Sequence, residues 1–97
     1  MVVSLSERLP FNKWSQERIR EGRKFCTSRT RVWDDSRVEY VMRRPLGFVM
    51  RYLWQVEGAD SPEEFEKVWR SLHRGTFDLR KIIYVHFGDF REGFKDG

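Results

Sequence analysis

The stretch from Leu9 to Arg31 most narrows the folds open to this chain, because it joins a helix, a glycine stop and a basic segment. Asn12 is placed to cap a helix that we predict to end at Glu21. The mostly apolar stripe of this helix consists of Phe11, Trp14, Ser15 and Ile19. Gly22 can end the helix in a left-handed conformation without a steric cost. Cationic and hydroxyl side chains follow directly after this glycine, and together they favour binding of phosphate, a carboxylate or a polarised carbonyl.

Two strands are predicted after the glycine. The first runs from Lys24 to Val32, and strict alternation divides its side chains between two faces. Phe25, Thr27, Arg29 and Arg31 would share one face, with Cys26, Ser28 and Thr30 on the other. The sequence Asp34-Asp35-Ser36 predicts a turn. The alternation that follows it predicts a second strand over residues 38–43.

A second helix is predicted to begin at Pro45 and to stop at Gly58. Its buried stripe consists of Leu46, Val49, Met50 and Leu53. Glu57 follows Leu53 by four residues, so it continues the inward face if the helix extends that far. A carboxylate on an inward face is more informative about function than one on a solvated face.

A third helix carries the clearest start signal in the chain. Ser61 is at the cap position, Pro62 at the first helical position, and Glu64 completes a capping box. The apolar stripe of this helix consists of Phe65, Val68, Trp69 and Leu72, and Arg74-Gly75 ends the helix.

A last strand is predicted from Lys81 to Phe87, with Ile83 and Val85 facing one way and Tyr84 and His86 the other. The residues after Gly88 are expected to fray, and a short strand is predicted around Val2-Val3. These elements predict one α+β domain over residues 1–97.

The segment from Gly22 to Arg29 reads Gly-Arg-Lys-Phe-Cys-Thr-Ser-Arg, which has the pattern G-x-K-x-x-x-x-R. In this pattern, and in its position after an N-terminal helix, the chain resembles the ASCH domain, a relative of the PUA RNA-binding fold. Val56-Glu57-Gly58 and the segment from Ser61 to Phe65, with Trp69 and His73, extend the resemblance, which covers roughly residues 9–87.

The resemblance implies a small, partly open antiparallel β-barrel of the PUA-like kind with about three flanking helices. Family members usually have a Gly-Asp turn and a further strand after the basic motif. Here only the segment from Val32 to Ser36 fills that space. Whether the barrel and its pocket close therefore stays open.

The composition limits the kinds of partner and the cellular compartment that we expect for this chain. The formal charge is +4 and the isoelectric point about 9.6, which favours polyanions. A single cysteine excludes an intrachain disulfide, and no apolar run or signal peptide is evident, so a cytoplasmic monomer without membrane contact is expected. Charged residues make up 35% of the chain while Asn and Gln are scarce, a bias common in thermophile proteins.

Lys24, Thr27 and Glu57 form the candidate catalytic set. Some small ASCH proteins are amidohydrolases that act on acetylated cytidine through a lysine, a threonine and a glutamate, and by resemblance these three residues match. A neutral lysine could activate the hydroxyl, and a carboxylate could protonate the leaving amine. The alternative is that Lys24 and Glu57 form a structural ion pair and Thr27 is a strand residue.

A second set of residues is a candidate for binding RNA, a nucleoside or a nucleotide. It consists of Arg23, Lys24, Ser28, Arg29, Arg31 and Arg43. Arginine makes bidentate contacts to phosphate and stacks on bases, and Trp33, Tyr40 or Tyr84 could add a stacking surface. The alternative is a solvated face balanced by acidic neighbours.

Three function classes stay open: an RNA-binding or nucleotide-binding module, a small amidohydrolase, and a non-catalytic adaptor or regulatory domain whose protein partner is unknown. His73, His86 and Cys26 match no zinc pattern, so no metal and no cofactor are predicted. His73 is expected at a helix end, His86 at the edge of a pocket, and Cys26 in the core.

Overall fold

A computed structural model describes residues 11–91, which form an α+β fold with one three-stranded antiparallel sheet. The helices are α1 (Lys13–Arg20), α2 (Leu46–Phe48), which continues into a π-helical segment (Val49–Leu53), and α3 (Pro62–Leu72). The strands are β1 (Cys26–Arg29), β2 (Val38–Pro45) and β3 (Ile82–Gly88). The strand predicted around Val2-Val3 lies outside the described residues. Within residues 11–91, no helix is long and apolar enough to cross a membrane.

The caps of α1 and α3 are the ones that the sequence predicts. Asn12 accepts a hydrogen bond from the Ser15 amide at 2.8 Å, and the Ser61 hydroxyl accepts one from the Glu64 amide at 3.1 Å. Each bond satisfies an amide that the first turn of a helix leaves without an intrahelical partner.

Three boundaries differ from the prediction. The first strand is confined to Cys26–Arg29. The Phe25 and Cys26 amides both donate to the carbonyl of Val56, so the ladder with β3 begins at Cys26, and the chain bends at Thr30 and Arg31, which ends the ladder. The second strand extends through Pro45, whose missing amide is tolerated because β2 is an edge strand. The helix after it begins at Leu46 and becomes π-helical, so Glu57 lies in the turn beyond it.

The central strand β3 lies between β1 and β2 and separates two faces. Opposed residues share a face, so Ser28, Val85 and Met42 lie on one side, and Thr27, His86 and Val41 on the other. The first side, the covered face, packs on the helices. Its core consists of Cys26, Leu46, Val49, Ala59, Phe65, Trp69, Ile83 and Val85.

A second, smaller cluster consists of Phe11, Ile19 and Phe90, with Trp33 and Val38 packed against it. Phe90 is fully buried, so the prediction that the chain frays directly after Gly88 is wrong for this residue. Leu72, the last residue of the predicted apolar stripe, is 54% exposed at the end of α3. The apolar stripe of α3 therefore reaches the core only as far as Trp69.

His86 is fully buried and joins the sheet to the loop after β1. The Trp33 amide donates to Nε2 of His86 at 2.8 Å, and Nδ1 lies 3.3 Å from the carbonyl of Thr27, to which it donates in the neutral ring. Burial lowers the pKa of the His86 imidazole, and the bond to Thr27 opposes that effect. The neutral ring satisfies both contacts, whereas protonation at Nε2 would remove the acceptor for Trp33.

His86 should therefore make stability depend on pH. Its pKa is lower in the folded state than the unfolded value of about 6.5. Its stabilisation is then present above that value and is lost as the pH falls through the folded pKa, on the order of 1 kcal/mol per pH unit. Chemical denaturation between pH 8 and pH 5 should show a shallower decline for His86→Gln than for the wild type. Equal slopes for the two proteins would contradict the assignment.

Candidate functional site

Lys24 is held in a buried position by the turn that ends α1. Gly22 adopts a left-handed conformation with φ of 74°, and the Arg23 amide donates back to the carbonyl of Arg18 at 2.9 Å. The Lys24 side chain is 3% exposed. Its ammonium donates to the Glu57 carboxylate oxygen Oε1 at 2.9 Å and to the Glu57 backbone carbonyl at 3.0 Å.

Glu57 reaches the same point from the turn after the π-helical segment. Its amide donates to the carbonyl of Leu53 at 2.9 Å, and Gly58 then reverses the chain with φ of 101°. A Cβ atom at Gly58 would lie 2.9 Å from the Cβ of Arg18 and 3.3 Å from that of Lys24. The chain can therefore approach α1 closely only with glycine here.

The second carboxylate oxygen of Glu57 accepts a hydrogen bond from the hydroxyl of Ser28 at 2.5 Å. Lys24, Cys26 and Ser28 are alternate residues, and their side chains turn toward the helices. Burial, and next the Glu57 charge, raise the pKa of the Cys26 thiol well above its usual range. The cysteine therefore stays a neutral core residue beside the ion pair.

Thr27 lines the same small cavity as Lys24, Ser28 and Glu57, with a volume of about 50 Å³. The three residues of the candidate catalytic set thus surround one space. The hydroxyl that contacts the carboxylate, however, is that of Ser28, because Thr27 lies at a register position on the opposite face of the sheet. Sequence reasoning had placed Ser28 only in the nucleic-acid set.

The small cavity is the inner end of a longer cleft along the outer edge of β1. An adjoining cavity of about 260 Å³ also contacts Thr27 and Ser28 and extends to Arg29 and His73. A third, of about 670 Å³, continues past His73 to Arg74 and Lys81. The cleft runs between β1 and the C-terminal end of α3.

The His73 ring forms part of the cleft wall. It stacks on Trp69 with ring centroids 3.9 Å apart and planes 14° from parallel, and its Nδ1 lies 2.9 Å from the carbonyl of Trp69. As predicted, it lies at a helix end, where it is the C-cap residue of α3. These contacts hold the ring in one orientation.

The residues of the predicted nucleic-acid set do not lie on one common surface. Arg23 forms ion pairs with Glu21 and Asp60 near the end of α1, and Lys24 and Ser28 belong to the buried network. Arg31 is exposed in the loop after β1, and Arg43 is exposed on β2. The set is divided because alternate residues of β1 face opposite sides of the sheet and because Arg23 pairs with acidic neighbours.

Arg29 is half-buried among aromatic rings that sequence reasoning did not assign to it. Its guanidinium carbon lies 4.2 Å from the ring centroid of Trp33 and 5.2 Å from that of Phe11. Burial lowers the pKa of the Arg29 guanidinium, partly offset by Asp35. A cation–π pair between residues 29 and 11 or 33 has no sequence signal beyond the presence of both residue types.

Among residues 11–91, no group of three His, Cys, Asp or Glu side chains is arranged to hold a metal ion. Comparison with protein-family models, with curated proteins and with solved structures found no match.

Breaking the buried ion pair should be costly. Lys24→Met leaves a buried carboxylate with one hydrogen-bond donor, so we expect it to reduce the free energy of unfolding by about 3–5 kcal/mol. The double variant Lys24→Met with Glu57→Met removes both charges, so it should lose less than the two single variants together.

Chemical denaturation of the two single variants and the double variant measures this coupling. Arg91→Met, which breaks the exposed pair with Asp89, is the control and should leave the free energy of unfolding close to that of the wild type. Additive losses for Lys24 and Glu57 would show that the pair is not coupled.

Proposed function

We propose that this protein binds a nucleotide, or one nucleotide of an RNA strand, in the cleft along the outer edge of β1, in the manner of an ASCH domain with a PUA-like fold. The observation that carries the proposal is the graded lining of the cleft. A buried polar network lies at its inner end, a hydroxyl-lined cavity follows, and cations lie at its outer end.

The cavity volumes indicate which part of a nucleotide each section of the cleft can hold. The inner cavity of about 50 Å³ is large enough for a small polar group or a few water molecules but not for a base. The adjoining 260 Å³ has the scale of a small ligand site, so the base fits there. An exocyclic group of the base would then point toward Ser28 and Glu57.

The charged residues of the cleft favour the same orientation of the nucleotide, with the base at the inner end and the phosphate at the outer end. At the inner end Lys24 and Glu57 neutralise each other, which suits an uncharged base. At the outer end Arg74 and Lys81 are exposed and can contact a phosphate. Asp78 also lies there, and it accepts a hydrogen bond from the Arg80 amide at 3.0 Å.

Binding of the four ribonucleoside monophosphates at low salt tests the proposal by calorimetry or by NMR shift mapping. Ser28→Ala removes the hydroxyl that borders both the inner cavity and the adjoining one, so we expect at least a fivefold weaker affinity for the preferred nucleotide, about 1 kcal/mol. Ser71→Ala, an exposed serine on α3, is the matched control and should bind as the wild type does. No binding of any of the four, or equal affinity in Ser28→Ala, would refute the proposal.

A second candidate is an amidohydrolase acting on acetylated cytidine, as the resemblance implies. The observation that favours it is the contact of a hydroxyl, an ammonium and a carboxylate in one buried place. In that reaction the hydroxyl oxygen attacks the acetyl carbonyl, its proton passes to a neutral lysine, and cytidine leaves as the amine takes a proton. Water then hydrolyses the acyl-enzyme. The two bonds from Lys24 to Glu57 oppose this candidate, because they favour the ammonium.

The second candidate predicts release of cytidine and acetate from N4-acetylcytidine, measured by chromatography. Thr27→Ala should abolish release if Thr27 is the nucleophile, and Ser28→Ala should do so if Ser28 is. Ser71→Ala should keep the wild-type rate. No turnover by the folded wild type would exclude the amidohydrolase and leave the binding proposal intact.

A further inference from the structure

Among residues 11–91, the face of the sheet that turns away from the helices is only partly covered. Register places Arg29, Tyr84 and Arg43 directly opposite one another on the three strands. They lie on this far face because their neighbours Ile83 and Val85 are fully buried on the covered face. Adjacent strands are about 4.8 Å apart, so this Arg-Tyr-Arg row spans about 10 Å across the sheet.

One half of the far face is closed and the other is open. At the level of His86, Trp33 contacts the histidine ring edge-on with centroids 6.2 Å apart. On β2, Val41 opposite His86 is 38% exposed, and Arg43 opposite Tyr84 is also exposed. Beyond Tyr84, Ile82 is 43% exposed. We call Val41, Arg43, Ile82 and Tyr84 the open face.

The ladder positions of the far face include two arginines and no carboxylate. They are Thr27, Arg29, Val38, Val41, Arg43, Pro45, Ile82, Tyr84, His86 and Gly88. Asp35, in the loop after β1, partly offsets the charge of Arg29, so the exposed cation of the open face is Arg43. Its charge attracts an anion. The aliphatic area is small, which does not suit a dry interface with another protein.

We propose that the open face binds single-stranded nucleic acid, with a base stacked on Tyr84 and a neighbouring phosphate bound by Arg43. An aromatic ring on a sheet, flanked by arginines, offers the two contacts that such a strand makes: stacking on the ring and pairing of its phosphates with cations. Arg29, held against Trp33, adds a fixed positive charge on the other side of Tyr84.

This inference goes beyond the nucleotide site in the cleft. The cleft lies along the outer edge of β1 toward α3, and the open face lies over β3 and β2. The two proposals can be refuted independently. Binding of a mononucleotide tests the cleft, and binding of an oligonucleotide longer than the cleft tests the open face.

Fluorescence anisotropy with labelled 12-mers of uridine and of deoxythymidine tests the inference. Tyr84→Ala should weaken binding of the 12-mers about tenfold or more, since one stacked base is lost, while Tyr84→Phe should stay within about twofold of the wild type. Tyr52→Ala is the matched control, because Tyr52 is 63% exposed on the π-helical segment, away from the sheet. Its affinity should equal that of the wild type.

The salt dependence isolates the phosphate contact. Arg43→Ala should reduce the slope of log Kd against log salt by about 0.7, the value for one phosphate of a single strand. Arg51→Ala, an exposed arginine on the π-helical segment, should leave the slope unchanged. A smaller slope in Arg43→Ala alone supports the proposal.

Three outcomes would overturn it: no binding of either 12-mer at low salt, wild-type affinity in Tyr84→Ala with its fold confirmed by thermal unfolding, or equal slopes in the Arg43 and Arg51 variants. Sedimentation of the wild type and of Tyr84→Ala provides a further check. A dimer that Tyr84→Ala converts to a monomer would show that a second copy of the chain covers the open face instead.

Discussion

The buried ion pair between Lys24 and Glu57 holds together parts of the chain that the sheet does not connect. Lys24 belongs to the turn between α1 and β1, and Glu57 to the turn between the π-helical segment and α3. Removing two charges from water costs several kcal/mol for each, so the pair persists only if the lost hydration is replaced. Here two acceptors satisfy the ammonium, and two donors, one on each oxygen, satisfy the carboxylate.

The backbone around the pair is shaped to bring these groups together. Gly22 and Gly58 both have positive φ, and each reverses the chain immediately before or after the charged residues. The side chain of Trp14 completes the enclosure, with its ring centroid 5.7 Å from the ammonium of Lys24. An apolar pair could fill the same space at a lower cost in free energy. The presence of two charges here therefore favours a functional role for the cleft that begins at this point.

Patterns local in sequence predicted much of the fold, but contacts between distant segments did not follow from them. The Ser61 cap and the burial of Phe65 and Trp69 follow from local patterns, and the structure confirms them. The predicted capping box is only half formed, because Glu64 accepts from the Asp60 amide instead of the Ser61 amide. Glu57 was placed on an inward face by the same spacing, and it is buried, but a turn rather than a helix puts it there. The bond from Ser28 to Glu57 joins residues 29 apart, and neither residue has a local signal for the other.

The alternation of β1 explains why one basic motif serves two different surfaces. In this short strand, Ser28 turns toward the helices and the buried carboxylate, while Arg29, one position later, turns to the far face and stacks on Trp33. A shift of the register of β1 by one residue would exchange the two, leaving Glu57 opposite an arginine and the far face without the cation that β1 supplies. The ladder between β1 and β3 therefore fixes the chemistry of the cleft and of the open face together. His86 secures that ladder because its ring contacts the carbonyl of Thr27 on β1 and the amide of Trp33 beyond it.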